Sequence, residues 1–162
     1  MVETKLGWVG LAFSDEGLRM TTLPRKTRDA AIWELAELGA TEPATPEELG
    51  DLPETLTAVV DGRPAPNGAR LDWTGITPFR RAVMEACMAI PPGQTESYGG
   101  LAERVGRPGA ARAVGRVMAT NPFPLIVPCH RVIGSTGGLH GYGGGLDMKA
   151  ALLQAEGVRA TR

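Results

Sequence analysis

SYGGLAERVGRPGAARAVGRVMATN, residues 97–121, is the stretch that decides the fold. Ser97 stands where a helix cap belongs, with a short amphipathic run after it. Gly106, Pro108 and Gly109 then break that run, and a second helical stretch follows. Two short helices joined by a glycine-containing turn make a helix-turn-helix pattern. In the second helix Ala110, Ala111, Ala113 and Gly115 are all small, and Arg112 and Arg116 lie one turn apart. Small residues let a helix backbone approach another surface closely. That surface is either a neighbouring helix in a core or DNA, and the pattern alone leaves both open.

Toward the N-terminus, Thr77 caps a helix that begins with Pro78 and places Phe79, Ala82, Val83, Ala86, Cys87 and Ile90 on one face. Cys87 is therefore expected to be a small apolar core residue, not a reactive one. Toward the C-terminus stands NPFPLIVPCHRVIG, residues 121–134. Its run Leu125–Val127 is expected to be a short buried strand stopped by Pro128, with Cys129 at its end. A thiol with an ordinary pKa of about 8.5 is little ionised at neutral pH and needs a base or a cation beside it to act as a nucleophile. His130 could supply the base, oriented by a carboxylate. A Cys-His dipeptide by itself does not establish catalysis.

The first half reads differently. Residues 7–23 are expected to form a hairpin around Ser14–Gly17, and residues 27–39 a helix capped by Thr27 and stopped by Gly39. A loop is expected over 40–53, a short helix over 54–60, and a Pro/Gly-rich linker over 61–75. Residues 1–76 carry 13 acidic and 7 basic side chains, whereas residues 77–162 carry 5 and 10. The second half is thus the one suited to a polyanion.

With 162 residues, 43% hydrophobic and 22% charged, the chain suits an ordinary globular protein of one or two small domains. No signal peptide or membrane-length apolar run is present, so a cytoplasmic protein is expected. The 2 cysteines and 2 histidines show no zinc-site spacing, so neither a metal nor a cofactor is expected, and the thiols are expected to be free.

Taken together, the segment from Thr77 to Pro122, the PCHR tetrapeptide at 128–131, GYGGG at 141–145 and KAALLQAEG at 149–157 resemble the O6-alkylguanine-DNA alkyltransferase family. The resemblance runs continuously over about residues 77–158 and is loose before them. It implies an α+β protein: a small ribonuclease-H-like N-terminal domain with linker over 1–75, then a winged helix-turn-helix DNA-binding and catalytic domain over 76–162. It also implies repair by direct reversal, with a methyl or other alkyl group moving irreversibly from O6 of guanine, or O4 of thymine, to Cys129. His130 would activate the thiol, Glu156 orient the histidine, Tyr98 serve the departing guanine, and Asn121 brace the active-site turn.

Further roles follow from the same resemblance. Tyr142, the backbone of Gly143, Met118 and Val132 would line the guanine pocket. Arg112 would fill the stack vacated by a flipped nucleotide, with Ala110, Ala111, Gly115 and Arg116 beside it in the minor groove. The expected partner is double-stranded DNA carrying O6-alkylguanine, met by a monomer that needs no obligatory protein partner and could bind cooperatively along DNA. Met84 stands where the family often has tryptophan, Ala150 and Ala151 where it has an aromatic, and His140 is expected on a surface loop without a role. Three other readings compete: a lesion sensor without transfer, a helix-turn-helix regulator with a sensing cysteine, and a cysteine hydrolase. The sensor is disfavoured because Cys129 is present, and turnover would expose the hydrolase.

Overall fold

A computed structural model describes residues 1–40, 42–66 and 68–161. Thr41 in the expected loop, Asn67 in the expected linker and the terminal Arg162 lie outside the described residues. The chain is a mixed helix and strand protein that divides into two compact units, Met1–Thr74 with Pro122–Ile126, and Gly75–Asn121 with Val127–Arg162.

The first unit opens with two antiparallel hairpins, β1 (Val2–Thr4) with β2 (Gly7–Val9), and β3 (Leu11–Ser14) with β4 (Gly17–Thr21). The expected hairpin is the second of these. Its turn requires glycine at position 17, because φ there is +135° and a Cβ would collide with the carbonyl of Arg70. Helix α1 (Arg28–Glu37) starts where Thr27 accepts a hydrogen bond from the Ala30 amide, and Gly39 lies just beyond it at φ +88°.

Two expectations for this half need correction. The expected loop over 40–53 contains a one-turn helix, α2 (Pro46–Leu49), held by a reciprocal capping box between Thr45 and Glu48, and α3 starts within it, spanning Leu52–Val60. The expected linker is ordered at its end. Leu71 bridges Leu18 in parallel, with Leu18 N donating to Arg70 O at 2.8 Å and Asp72 N donating to Leu18 O at 2.8 Å. Buried Asp72 accepts from Ser14 Oγ and from Thr74 N, both at 2.8 Å. All three tryptophans, Trp8, Trp33 and Trp73, belong to this unit.

Residues 122–126 also belong to it, and they do not form the expected strand. Leu125 has φ +74°, and the chain turns at Leu125–Ile126. Pro122, Pro124 and Pro128 each lack the N–H that a strand ladder uses, although their carbonyls still accept. Thr21 N donates to Pro122 O at 2.9 Å and Thr21 Oγ1 to Pro124 O at 2.8 Å. Phe123 and Leu125 are buried, and Trp73 meets Phe123 edge to face.

The second unit is helical. Helix α4 (Pro78–Met88) is capped by Thr77 and buries Val83, Met84 and Cys87. Cys87 is fully buried and burial pushes its thiol up, in keeping with a core residue. Helix α5 (Tyr98–Arg104) is capped by Ser97, and α6 (Ala111–Ala119) follows a turn in which Gly106 and Gly109 take φ +71° and +84°. Ala110 is the N-cap of α6, one residue before the helix proper. A short parallel pair, β5 (Glu96–Ser97) with β6 (Val132–Ile133), ties the start of α5 to the residues that follow Cys129. Helix α7 (Leu146–Ala155) closes the unit, with Glu156 as its C-cap. No helix among the described residues is long and apolar enough to cross a membrane.

Candidate active site

Pro128 leads into a single 3-10 turn, Cys129–Arg131, in which Cys129 N donates to Val127 O at 2.7 Å and Arg131 N to Pro128 O at 2.9 Å. Cys129 is thus fixed by main-chain bonds in a tight turn and not at the end of a strand. It is 7% exposed. Burial pushes its thiol up, while Asn121, Lys149 and Tyr142 act to bring it down. Asn121 Nδ2 donates to Val127 O at 3.0 Å, which fixes the chain two residues before the thiol.

The turn then buries two basic side chains in succession. His130 is wholly buried, with Nε2 2.9 Å from Glu156 Oε1. Arg131 grips the same carboxylate through Nε at 3.0 and 3.2 Å and through Nη2 at 2.8 Å, and donates from Nη1 to Ile90 O at 2.6 Å. Gly93 N adds a weaker bond to Glu156 Oε2 at 3.3 Å. Burial opposes ionisation of Glu156, but the bonds from His130 and Arg131 outweigh it and hold the carboxyl at about 2.

An ionised carboxylate can only accept, so His130 Nε2 carries the proton and Nδ1 the free lone pair. Nδ1 is buried and has no hydrogen-bond partner among the described residues. Burial lowers the histidine's pKa despite the carboxylate, so the ring is held neutral. The result is an oriented imidazole with its basic nitrogen unused, next in sequence to a thiol.

Tyrosines and a lysine complete the surroundings of Cys129. Tyr98, at the start of α5, meets the exposed His140 ring edge to face at 6.2 Å. His140 is on the surface, as expected, yet packs on the Tyr98 ring. The Tyr142 hydroxyl is buried beside Cys129, and burial and then Cys129 raise its phenol well above the ordinary range. Lys149 on α7 is 1% exposed. Its Nζ donates to Val132 O and Leu139 O at 2.6 Å each, 5.9 Å from the Tyr98 ring centre and 6.0 Å from that of Tyr142. Met118 is buried on α6, and Gly143 lies in an exposed turn closed by Gly145 N to Tyr142 O at 3.0 Å.

On α6, Val114, Val117 and Met118 face inward, whereas Arg112 and Arg116 are exposed. Neither arginine forms a salt bridge among the described residues, so their charge is uncompensated. Ala110, Ala111, Ala113 and Gly115 are half-buried. A Cβ on Gly115 would stand 3.9 Å from Tyr98 Cδ1, an ordinary contact, so glycine is not sterically required there.

Residues 78–158 match the family model for the DNA-binding domain of 6-O-methylguanine DNA methyltransferase. A methylated-DNA–protein-cysteine methyltransferase of Mycolicibacterium paratuberculosis is 41% identical over 155 residues, 96% of this chain and 89% of that protein. The chain belongs to this family. The crystal structure of Mycobacterium tuberculosis O6-methylguanine methyltransferase matches with a TM-score of 0.75 and 36% identity, covering 99% of this chain and 92% of that one. The M. tuberculosis protein OGT in complex with DNA matches with a TM-score of 0.71 at 36% identity, covering 92% of this chain and 86% of that one.

For this family member, sequence reasoning missed two buried cations. Arg131 was visible only as the last letter of PCHR, with no sign that it would pair with Glu156. Lys149 had a readable signal. With Leu152 and Leu153 three and four positions on, it falls on the inward stripe of α7, where a lysine is unexpected.

Proposed function

We propose that the chain repairs alkylated DNA by moving a methyl or other alkyl group from O6 of guanine, and from O4 of thymine, irreversibly to Cys129. The observation that carries this reading is the buried Cys129 thiol followed by His130, whose Nδ1 is left basic by the Glu156–Arg131 ion pair. Family membership supplies the substrate class.

The steps follow from the side chains. His130 Nδ1 takes the thiol proton, directly or through a water. The sulfur then attacks the alkyl carbon in line, the S–C bond forms as the C–O6 bond breaks, and the electron pair leaves with the guanine. Tyr98 donates a proton to the departing base and is restored by the proton held on His130. The thioether is stable, so each molecule acts once.

A buried thiol reaches only a base rotated out of the duplex. We assign the α5–α6 pair to a winged helix-turn-helix, with α6 in the minor groove and Arg112 filling the vacated stack. The exposed, uncompensated Arg112 and Arg116 and the small residues between them support that placement. Tyr142, Gly143, Met118 and Val132 are assigned to the pocket wall, Val132 through its carbonyl. We assign residues 1–75, with their hairpins and helices, to a ribonuclease-H-like domain whose compact unit also takes in 122–126, and the rest of 76–162 to the catalytic domain. The monomer is the acting species, because every proposed catalytic side chain lies in one unit of one chain.

The test is intact-protein mass after stoichiometric mixing with a duplex holding one O6-methylguanine, beside Cys129→Ala. A single methyl adduct on the wild type alone, with guanine restored, is expected. An unmodified protein that still binds the lesion would overturn the transfer reading in favour of a damage sensor.

A further inference from the structure

Lys149 is a buried charge of the second unit that these steps leave unused. Its hydrogen-bond partners are two main-chain carbonyls, and no carboxylate forms an ion pair with it among the described residues. The groups around it and Cys129 do not balance it. Cys87 from α4, Tyr98 from α5 and Tyr142 are neutral acids raised by burial. His130 is held neutral, and Arg131 is matched by Glu156. The surroundings of the thiol therefore hold one uncompensated charge, and it is positive.

Burying a lone ammonium is costly, and two carbonyls answer its hydrogen bonds without answering its charge. The group that can answer it is the Cys129 thiolate. We propose that Lys149 is the counter-charge of the Cys129 thiolate, a positioning residue that makes ionisation of the buried thiol complete an ion pair instead of creating an isolated anion. The proposal rests on Cys129 being the acceptor. Burial brings the ammonium down to about 8, while the Cys129 charge acts to raise it, so the two groups favour each other's charged forms. When the sulfur gains an alkyl group and becomes a neutral thioether, the ammonium again lacks a counter-ion.

The alternative is that Lys149 only braces the chain between Val132 and Leu139. Thiolate absorbance as a function of pH separates the two, measured in a Cys87→Ala background so that one thiol reports. Lys149→Met is expected to raise the Cys129 pKa by about one to three units, and Lys149→Arg, which keeps the charge, to restore most of it. A Lys149→Met protein that is folded by circular dichroism and titrates like the parent would overturn the proposal.

A reciprocal measurement needs no change at Lys149. With the lysine side chain followed by carbon NMR, Cys129→Ala should lower its titration midpoint by about one unit. An unmoved midpoint overturns the proposal as well. Both titrations are read without DNA, so a wild type that takes no methyl from O6-methylguanine would defeat the functional reading while leaving this inference to be judged separately.

Discussion

Replacing Glu156 by glutamine keeps the shape of the site and removes one charge. The Arg131 guanidinium, 7% exposed, would then be buried without its anion, and removal of one partner of such a pair costs about 3–5 kcal/mol. Linkage gives an independent figure. The Glu156 carboxyl is held at about 2 against an ordinary 4.5, which corresponds to about 3 kcal/mol of folded-state preference for the carboxylate. Because the folded pKa is the lower one, that stability is present above pH 4.5 and is lost as the pH falls toward 2. The prediction is a loss of about 3–5 kcal/mol at pH 7, with a flatter stability profile through the acid range. Urea unfolding followed by far-ultraviolet circular dichroism is the suitable assay, since tryptophan fluorescence reports only the first unit.

The double variant Arg131→Met/Glu156→Leu separates the ion pair from the chemistry. With both charges gone, most of the lost stability should return, yet alkyl transfer should stay about 10²–10⁴-fold slow because His130 no longer has an oriented lone pair. If Glu156→Gln unfolded within about 1 kcal/mol of wild type and transferred methyl at the same rate, the argument from the shared carboxylate would be wrong.

Arg112→Ala should slow transfer from duplex DNA far more than transfer from free O6-alkylguanine, measured as second-order rates on both substrates. Equal losses would count against nucleotide flipping. Gly115→Ala should leave the fold intact and raise its stability by up to about 1 kcal/mol through helix propensity, because the added Cβ meets only Tyr98 at 3.9 Å; thermal unfolding checks this. Leu125→Ala should cost about 2–5 kcal/mol by emptying a buried site, read from the loss of tryptophan fluorescence in urea. The rate of methyl transfer should fall only at a pH below the ordinary histidine range, since burial lowers the His130 pKa and protonating the ring removes the base; a rate that falls already through the ordinary histidine range, or that stays flat down to the pH at which the protein unfolds, would argue against that role.

Local signals were the legible ones. Thr27, Thr77 and Ser97 all proved to be N-caps whose side chains accept from the third residue on, because capping depends on chemistry within one turn. The strand expected at Leu125–Val127 failed for the opposite reason. Leu125 and Val127 are buried and Ile126 half-buried, but prolines on both sides of the run deny the segment a ladder, and the bonds from Thr21 to Pro122 and Pro124 come from about a hundred positions away in sequence. The Cys129–His130 pair could be found from its flanks. The Arg131–Glu156 pair could not, since two charges 25 positions apart give no sign of each other until the chain folds. Capping box α2 was written in Thr45-Pro-Glu-Glu but hidden by the proline and acid content of its surroundings.

The five residues at 122–126 give the chain an interleaved order, with each unit made of two separate stretches. A polypeptide ending at Thr74 would lack Phe123 and Leu125 from its own core, and one starting at Gly75 would carry them without the unit that buries them. The two units are therefore not interchangeable cassettes. A cut at that boundary would leave both products incomplete, one without residues 122–126 and the other with their apolar side chains uncovered.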